Sequence, residues 1–179
     1  MKLMEIIEPI KLLSGSHSDT GTTGKGCFMN VIAYLNGEPQ ITDQSTCVCY
    51  VVRPIAIWLN DYLKDGERAR LIPFIERAMG SATEDKNEVM RRVNLAVVLA
   101  KTYAKYAAGH AARHPAEYAK YAGHAAGHAG HAAGRAGHAE HRHFITELAF
   151  SFLDSALPKR EQIDPEIIER ANKLLTLTA

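Results

Sequence analysis

Between Gly109 and His143 the chain is written in sevens: GHAARHP, AEYAKYA, GHAAGHA, GHAAGRA and GHAEHRH, starting at Gly109, Ala116, Gly123, Gly130 and Gly137. A seven-residue repeat is a helical signal, because residues three, four and seven apart share a helix face, whereas a strand repeats every two. Lettered a to g from Gly123, the repeat places its bulky side chains at b and f: Tyr121, His124, His128, His131, Arg135 and His138. Glycines Gly123, Gly127, Gly130, Gly134 and Gly137 form a shoulder at a and e, and alanine fills c, d and g almost throughout.

Each glycine inside a helix costs about 1 kcal/mol relative to alanine, so five of them oppose helix formation by about 5 kcal/mol. A thin alanine and glycine surface offsets that cost by letting a second helix approach closely. A strict seven-residue period further implies left-handed supercoiling about the partner. The partner is a neighbouring helix of the same chain or a second copy, so a homo-oligomer joined through the Ala/Gly faces is expected. Two other uses of the stripe stay open. Histidines three or four apart can chelate zinc, nickel or copper, and Tyr, His and Arg on one face can bind nucleotides or nucleic acid.

Charge argues against a generic polyanion binder: 21 Lys+Arg stand against 20 Asp+Glu in 179 residues. Apolar residues make up 46% and charged ones 23%, the balance of a globular chain. Of the nine His, all but His17 lie in the tract, which turns basic below about pH 6.5. The opening MKLMEIIEPIKLLSG is interrupted by Glu5, Glu8 and Pro9, unlike a secretory signal. No apolar run approaches the length of a membrane span. With three Cys, two of them one residue apart, reduced thiols in the cytoplasm are expected rather than disulfides.

Those thiols and the remaining histidine form the second candidate site: His17, Cys27, Cys47 and Cys49, with Asp43 nearby as a further ligand or outer partner. Thiolate and imidazole suit zinc, although the C-x-C spacing differs from the usual C-x2-C knuckle. Buried, inert thiols are the plainer expectation, and a catalytic metal or thiol is the other. The loop SDTGTTGKG lacks the phosphate-loop pattern, with Asp19 at the required glycine and Gly26 at the required Ser/Thr, yet its glycine-rich backbone could still hold an anion.

The chain reads as mainly α. Residues 3–13 are expected to be extended or an edge segment because Pro9 interrupts them, and 14–26 to be loop. A short helix is predicted over Cys27–Asn36, stopped by Gly37 and Pro39. A second runs over about Val51–Leu63 with Pro54 in its first turn. Asp65-Gly66 is a turn, and Pro73 kinks or splits the following helical run, which ends at Gly80. The next helix starts near Ser81–Asp85 with Val89, Val93, Ala96, Val97 and Ala100 as its core stripe. A break is expected near Gly109–Pro115, where the chain either kinks or turns back. A helix restarting at Pro115 would reach about Leu157, some 43 residues or roughly 60 Å, with Phe144, Leu148, Phe152 and Leu157 facing the core. Asp164-Pro165-Glu166 opens a last helix to about Leu175.

The motif order Gly15-Ser16-His17, Cys27-Phe28-Met29, Ala33-Tyr34-Leu35, Gly37-Glu38-Pro39, Asp43, Cys47-Val48-Cys49 and Trp58-Leu59-Asn60-Asp61 resembles a family of uncharacterised proteins from bacteriophages and actinobacteria, over roughly residues 14–140. The resemblance implies a viral or bacterial origin. Similar proteins carry Glu after Cys-x-Met where this chain has Asn30, which removes an acid/base carboxylate from the first helix.

The expected architecture is therefore a compact helical part over 1–80, holding the His/Cys cluster, and a long-helix bundle over 81–179. The expected function is non-enzymatic binding or self-assembly. A metal- or thiol-dependent enzyme and a nucleic-acid binder are the alternatives.

Overall fold

The computed structural model describes residues 3–113, 139–158 and 163–177. These are mainly helical and contain no strand; one isolated parallel bridge joins Leu12 to Gly26. The elements in order are α1 (Leu3–Ile7), α2 (Thr20–Thr23), α3 (Phe28–Leu35), α4 (Arg53–Tyr62), a 3-10 turn (Arg68–Leu71), α5 (Ile72–Ala78), α6 (Lys86–Arg113), α7 (Ala139–Ala156) and α8 (Pro165–Thr176).

Residues 3–7 correct the extended reading of the N-terminus. Leu3, Ile6 and Ile7 sit at helical spacing and are fully buried, with α1 lying against α8. Pro9 falls just beyond the helix, so it ends α1 without preventing it. The expected loop likewise contains one helical turn, α2, closed by Gly24 at φ +68°.

Local stop signals work where they were expected. Pro54 sits in the first turn of α4, and Gly37 follows α3 at φ +71°. The run split by Pro73 becomes the 3-10 turn and α5. Asp164 accepts from the backbone N–H of Glu166 at 2.9 Å and Pro165 opens α8.

The packed face of α6 is rotated from the expected stripe. Arg92 is buried, and Leu95, Ala96 and Leu99 pack on the core, whereas Val97 is 43% exposed and Ala100 is exposed. Leu95 and Leu99 reach farther than valine or alanine and so select the face that meets α7. The two helices pair closely. Arg91 reaches Ser155, Leu95 lies beside Phe152, and Tyr103 beside Ile145. As the number rises on one it falls on the other, so α6 and α7 are antiparallel; α6 runs unbroken through Gly109 to Arg113, and the rest of the break expected near Gly109–Pro115 lies outside the described residues. Of the helix predicted over 115–157, only the part from Ala139 onward lies among the described residues.

Buried side chains form one cluster running from Leu3 through Met79 to Leu174, drawing on both sides of residue 80. Helix α7 is buried on two sides, with Ile145, Ala149, Phe152, Leu153 and Ala156 all nearly inaccessible. Among the described residues, no helix is long and apolar enough to cross a membrane.

Arginines close the helix ends. Arg77 donates to the carbonyls of Asp154, Leu157 and Pro158 at 2.6, 2.8 and 3.2 Å, and Arg91 to those of Ser155 and Ala156 at 2.8 and 3.3 Å. These satisfy carbonyls that a helix C-terminus leaves without partners. Arg77→Met should therefore lower stability by about 1–3 kcal/mol, read as a lower urea midpoint. Arg77→Lys should restore little of it, because a lysine cannot reproduce the forked donor geometry. A wild-type midpoint in Arg77→Met would refute this role.

Candidate functional site

The N-terminus of α3 gathers polar residues around His17 and Cys27 of the His/Cys candidate site. Cys27 is the N-cap: its Sγ accepts from the Asn30 backbone N–H at 3.4 Å, and Asn30 Oδ1 returns to the Cys27 N–H at 3.4 Å. Asn30 is fully buried. Its Oδ1 also accepts from the His17 N–H at 2.7 Å, and its Nδ2 donates to Ser16 Oγ at 3.5 Å. The segment 14–17 is thus held over the helix end.

Helix α4 supplies the other half of the clamp. Asn60, also buried, accepts from the Phe28 N–H at 3.1 Å and donates to the Leu13 carbonyl at 2.9 Å. Its neighbour Asp61 accepts from the Gly15 N–H at 2.7 Å, where Gly15 takes φ +76°. His17 Nε2 lies 2.8 Å from the Ser14 carbonyl oxygen, so a ring N–H there stays within its own loop. Gly26 completes the fit: a Cβ on it would collide with Thr20 Oγ1.

The other two thiols sit on the second loop. Cys47 is half-buried, its Sγ 3.1 Å from Ser45 Oγ, and Ser45 in turn donates to Glu38 Oε1 at 2.5 Å. Cys49 is buried, and its N–H donates to Ser81 Oγ at 3.0 Å. No disulfide joins any of the three cysteines. Among the described residues no three His, Cys, Asp or Glu side chains are grouped so as to hold a metal ion. His17, Cys27, Cys47 and Cys49 are therefore not brought together as a zinc set, and Asp43 does not complete one.

Burial pushes the Cys27 thiol up from 9.0 to about 11, and Asp43 and Asp61 push in the same direction; the backbone N–H groups of Asn30 and Met29 oppose them. The thiol stays protonated at neutral pH, and a protonated thiol is a poor nucleophile. The cluster's geometry serves to clamp a loop to a helix end.

The other candidate site, the heptad tract, lies largely outside the described residues. This holds for the stripe of Tyr121, His124, His128, His131, Arg135 and His138 and for Gly123, Gly127, Gly130, Gly134 and Gly137. Its described flanks are informative. Tyr103 lines an apolar cleft of about 370 Å³ between α4, α6 and α7, together with Trp58, Leu99 and Ile145. Arg142 is engaged within the fold: it donates to the Tyr62 carbonyl at 2.7 Å, pairs with Glu67 at 3.2 Å and covers the Tyr62 ring at 4.7 Å. Tyr62 in turn stacks on Trp58 at 4.8 Å.

Asn30, Asn60 and Asp61 do the positioning, and none of the three belongs to the His/Cys set that the sequence singles out. For the two asparagines the sequence signal is an amide standing in an otherwise apolar helix. Comparisons with family models, curated proteins and solved structures return no match.

A thiol whose folded pKa exceeds its unfolded value favours the native state fully below the unfolded value. That contribution is lost as pH rises through the folded value. Stability in urea should therefore fall between pH 9 and 11, with up to about 2–3 kcal/mol attributable to Cys27. Cys27→Ser keeps a good N-cap and should remove that share of the slope. Superimposable pH profiles for the two proteins would show that Cys27 carries no such linkage.

Proposed function

We propose that this is a non-enzymatic binding or self-assembly protein, of bacteriophage origin, whose working element is the helical hairpin of α6 and α7 with the heptad tract between them. The observation that carries this reading is one of register. Extended back along α6, the heptad lettering puts Met90, Val97 and Ala104 at c, Arg91, Val98 and Lys105 at d, and Asn94 and Lys101 at g, and every one of them is exposed. The a, b and e positions, including Arg92, Leu95, Leu99 and Tyr103, turn inward to varying depth. The thin c/d/g face that alanine fills in the tract therefore has, as its described continuation, the solvent side of α6.

The polar cluster at α3 supports the same reading from the other direction. Its amides are consumed in fastening loop to helix, and its buried thiol is held protonated. Binding through a thin helix face needs neither a nucleophile nor an acid/base pair.

Light scattering on the full-length protein tests the assembly arm. Leu at Ala126 and Ala133 thickens the c/d face and should shift the oligomer mass, because a close helix–helix approach does not tolerate added branches. A strictly monomeric wild-type protein over a wide concentration range, or a mass unmoved by the double substitution, would sink self-assembly.

A further inference from the structure

The outward face of α6 carries its own charge pattern. At 100° per residue, Lys86, Met90, Val97, Val98, Lys101 and Lys105 fall within one arc of about 120°. Met90, Val97 and Val98 are 54%, 43% and 60% exposed, and the three lysines are exposed with them. The one carboxylate in α6, Glu88, lies off this arc. It is held by Arg91 Nε at 2.7 Å and Arg92 Nε at 2.9 Å, and these pairings hold it down at about pKa 2. An apolar patch is thus rimmed by cations with no carboxylate among them.

This pattern selects a partner. Over Lys86–Lys105 a second copy docking through this face would bring three more lysines and no compensating carboxylate, and like charges across an interface oppose association, so self-assembly is left to the alanine letters of the tract. Nucleic acid would meet the lysines but leave Met90, Val97 and Val98 without apolar cover, since phosphate contacts are polar. A helix with apolar residues along its centre and Asp or Glu on its flanks satisfies both halves of the surface, as in helix-on-helix recognition. We propose that the outward face of α6 docks an acidic amphipathic helix from a partner protein. The proposal rests on the binding reading above and names the chemistry of the partner.

Fluorescence anisotropy with the full-length protein tests it against three labelled probes. These are a peptide helix with a leucine stripe flanked by glutamates, the same peptide with lysines for the glutamates, and a single-stranded oligothymidine. The glutamate peptide should bind saturably and weaken with salt. K101E/K105E should weaken it about tenfold or more and V97S/V98S comparably, with K101E/K105E gaining affinity for the lysine peptide. Equal binding of both peptides to wild type would overturn the proposal, as would binding of the oligothymidine alone, of no probe, or variants indistinguishable from wild type. Both variants change only exposed side chains, and circular dichroism is the check that they remain folded. Light scattering on the same samples separates the two readings, because an oligomer that ignores all three probes keeps self-assembly and loses this proposal.

Discussion

Helix C-termini that end against other elements of the chain set the central constraint on this fold. The last carbonyls of a helix have no partner within it, and burying them bare is costly. Arginine meets the problem repeatedly. Arg170 donates to the Leu35 carbonyl at 2.5 Å at the end of α3. Arg68 and Arg142 donate to the carbonyls of Asn60 and Tyr62 at the end of α4, and Arg77 and Arg91 serve the end of α7. A cation at that position also suits the negative end of the helix dipole. Most of these contacts span long stretches of chain, 135 residues for Arg170 and 80 for Arg142, so they tie distant elements together as well as capping. Gly37 belongs to the same device: a Cβ there would approach the Arg170 guanidinium to 3.3 Å.

The start of α3 is solved differently, with amides in place of charge. A thiol is a weak acceptor, and Cys27 alone would cap poorly. Asn30 and Asn60 supply the missing capacity, each using its carbonyl oxygen and its NH2 on separate backbone or side-chain groups. Fully satisfied, such a buried network fixes one arrangement of the loop. A carboxylate at position 30 could accept these bonds but could not donate to Ser16, so asparagine fits the clamp as found.

Features governed by neighbours in sequence were legible, and those governed by distant partners were not. Pro54, Pro73, Gly37 and the Asp164-Pro165 pair act within one turn of chain, and they mark their elements correctly. The α1 segment was misread because Pro9 outweighed the Leu3, Ile6 and Ile7 spacing, although proline restricts what precedes it only locally. The face of α6 is only partly legible because valine and leucine look alike in an apolar count: Ala96 packs inward as expected, but Leu95 and Leu99 pack on the core where Val97 and Ala100 stay exposed. The arginine caps leave no local trace, since each acceptor is a backbone carbonyl elsewhere. The grouping of His17 with three cysteines rested on residue type, and residue type says nothing about distance once a loop and a helix intervene.

The register of α6 joins the described hairpin to the tract in one argument. From Lys86 to Arg113 the helix is continuous, so its heptad lettering carries through without a slip. Up to Lys105 the exposed c, d and g positions carry mainly methionine, valine, arginine, asparagine and lysine, and the same letters read alanine in the sequence at 108, 111 and 112. Along the c, d and g letters the sequence therefore passes from bulk and charge to small residues. Bulk with charge selects a partner by chemistry, whereas bareness selects by how closely another backbone can come. The inward a, b and e positions, with Arg92 buried and Leu95, Ala96 and Leu99 partly so, hold the described part of α6 against α7 and the core.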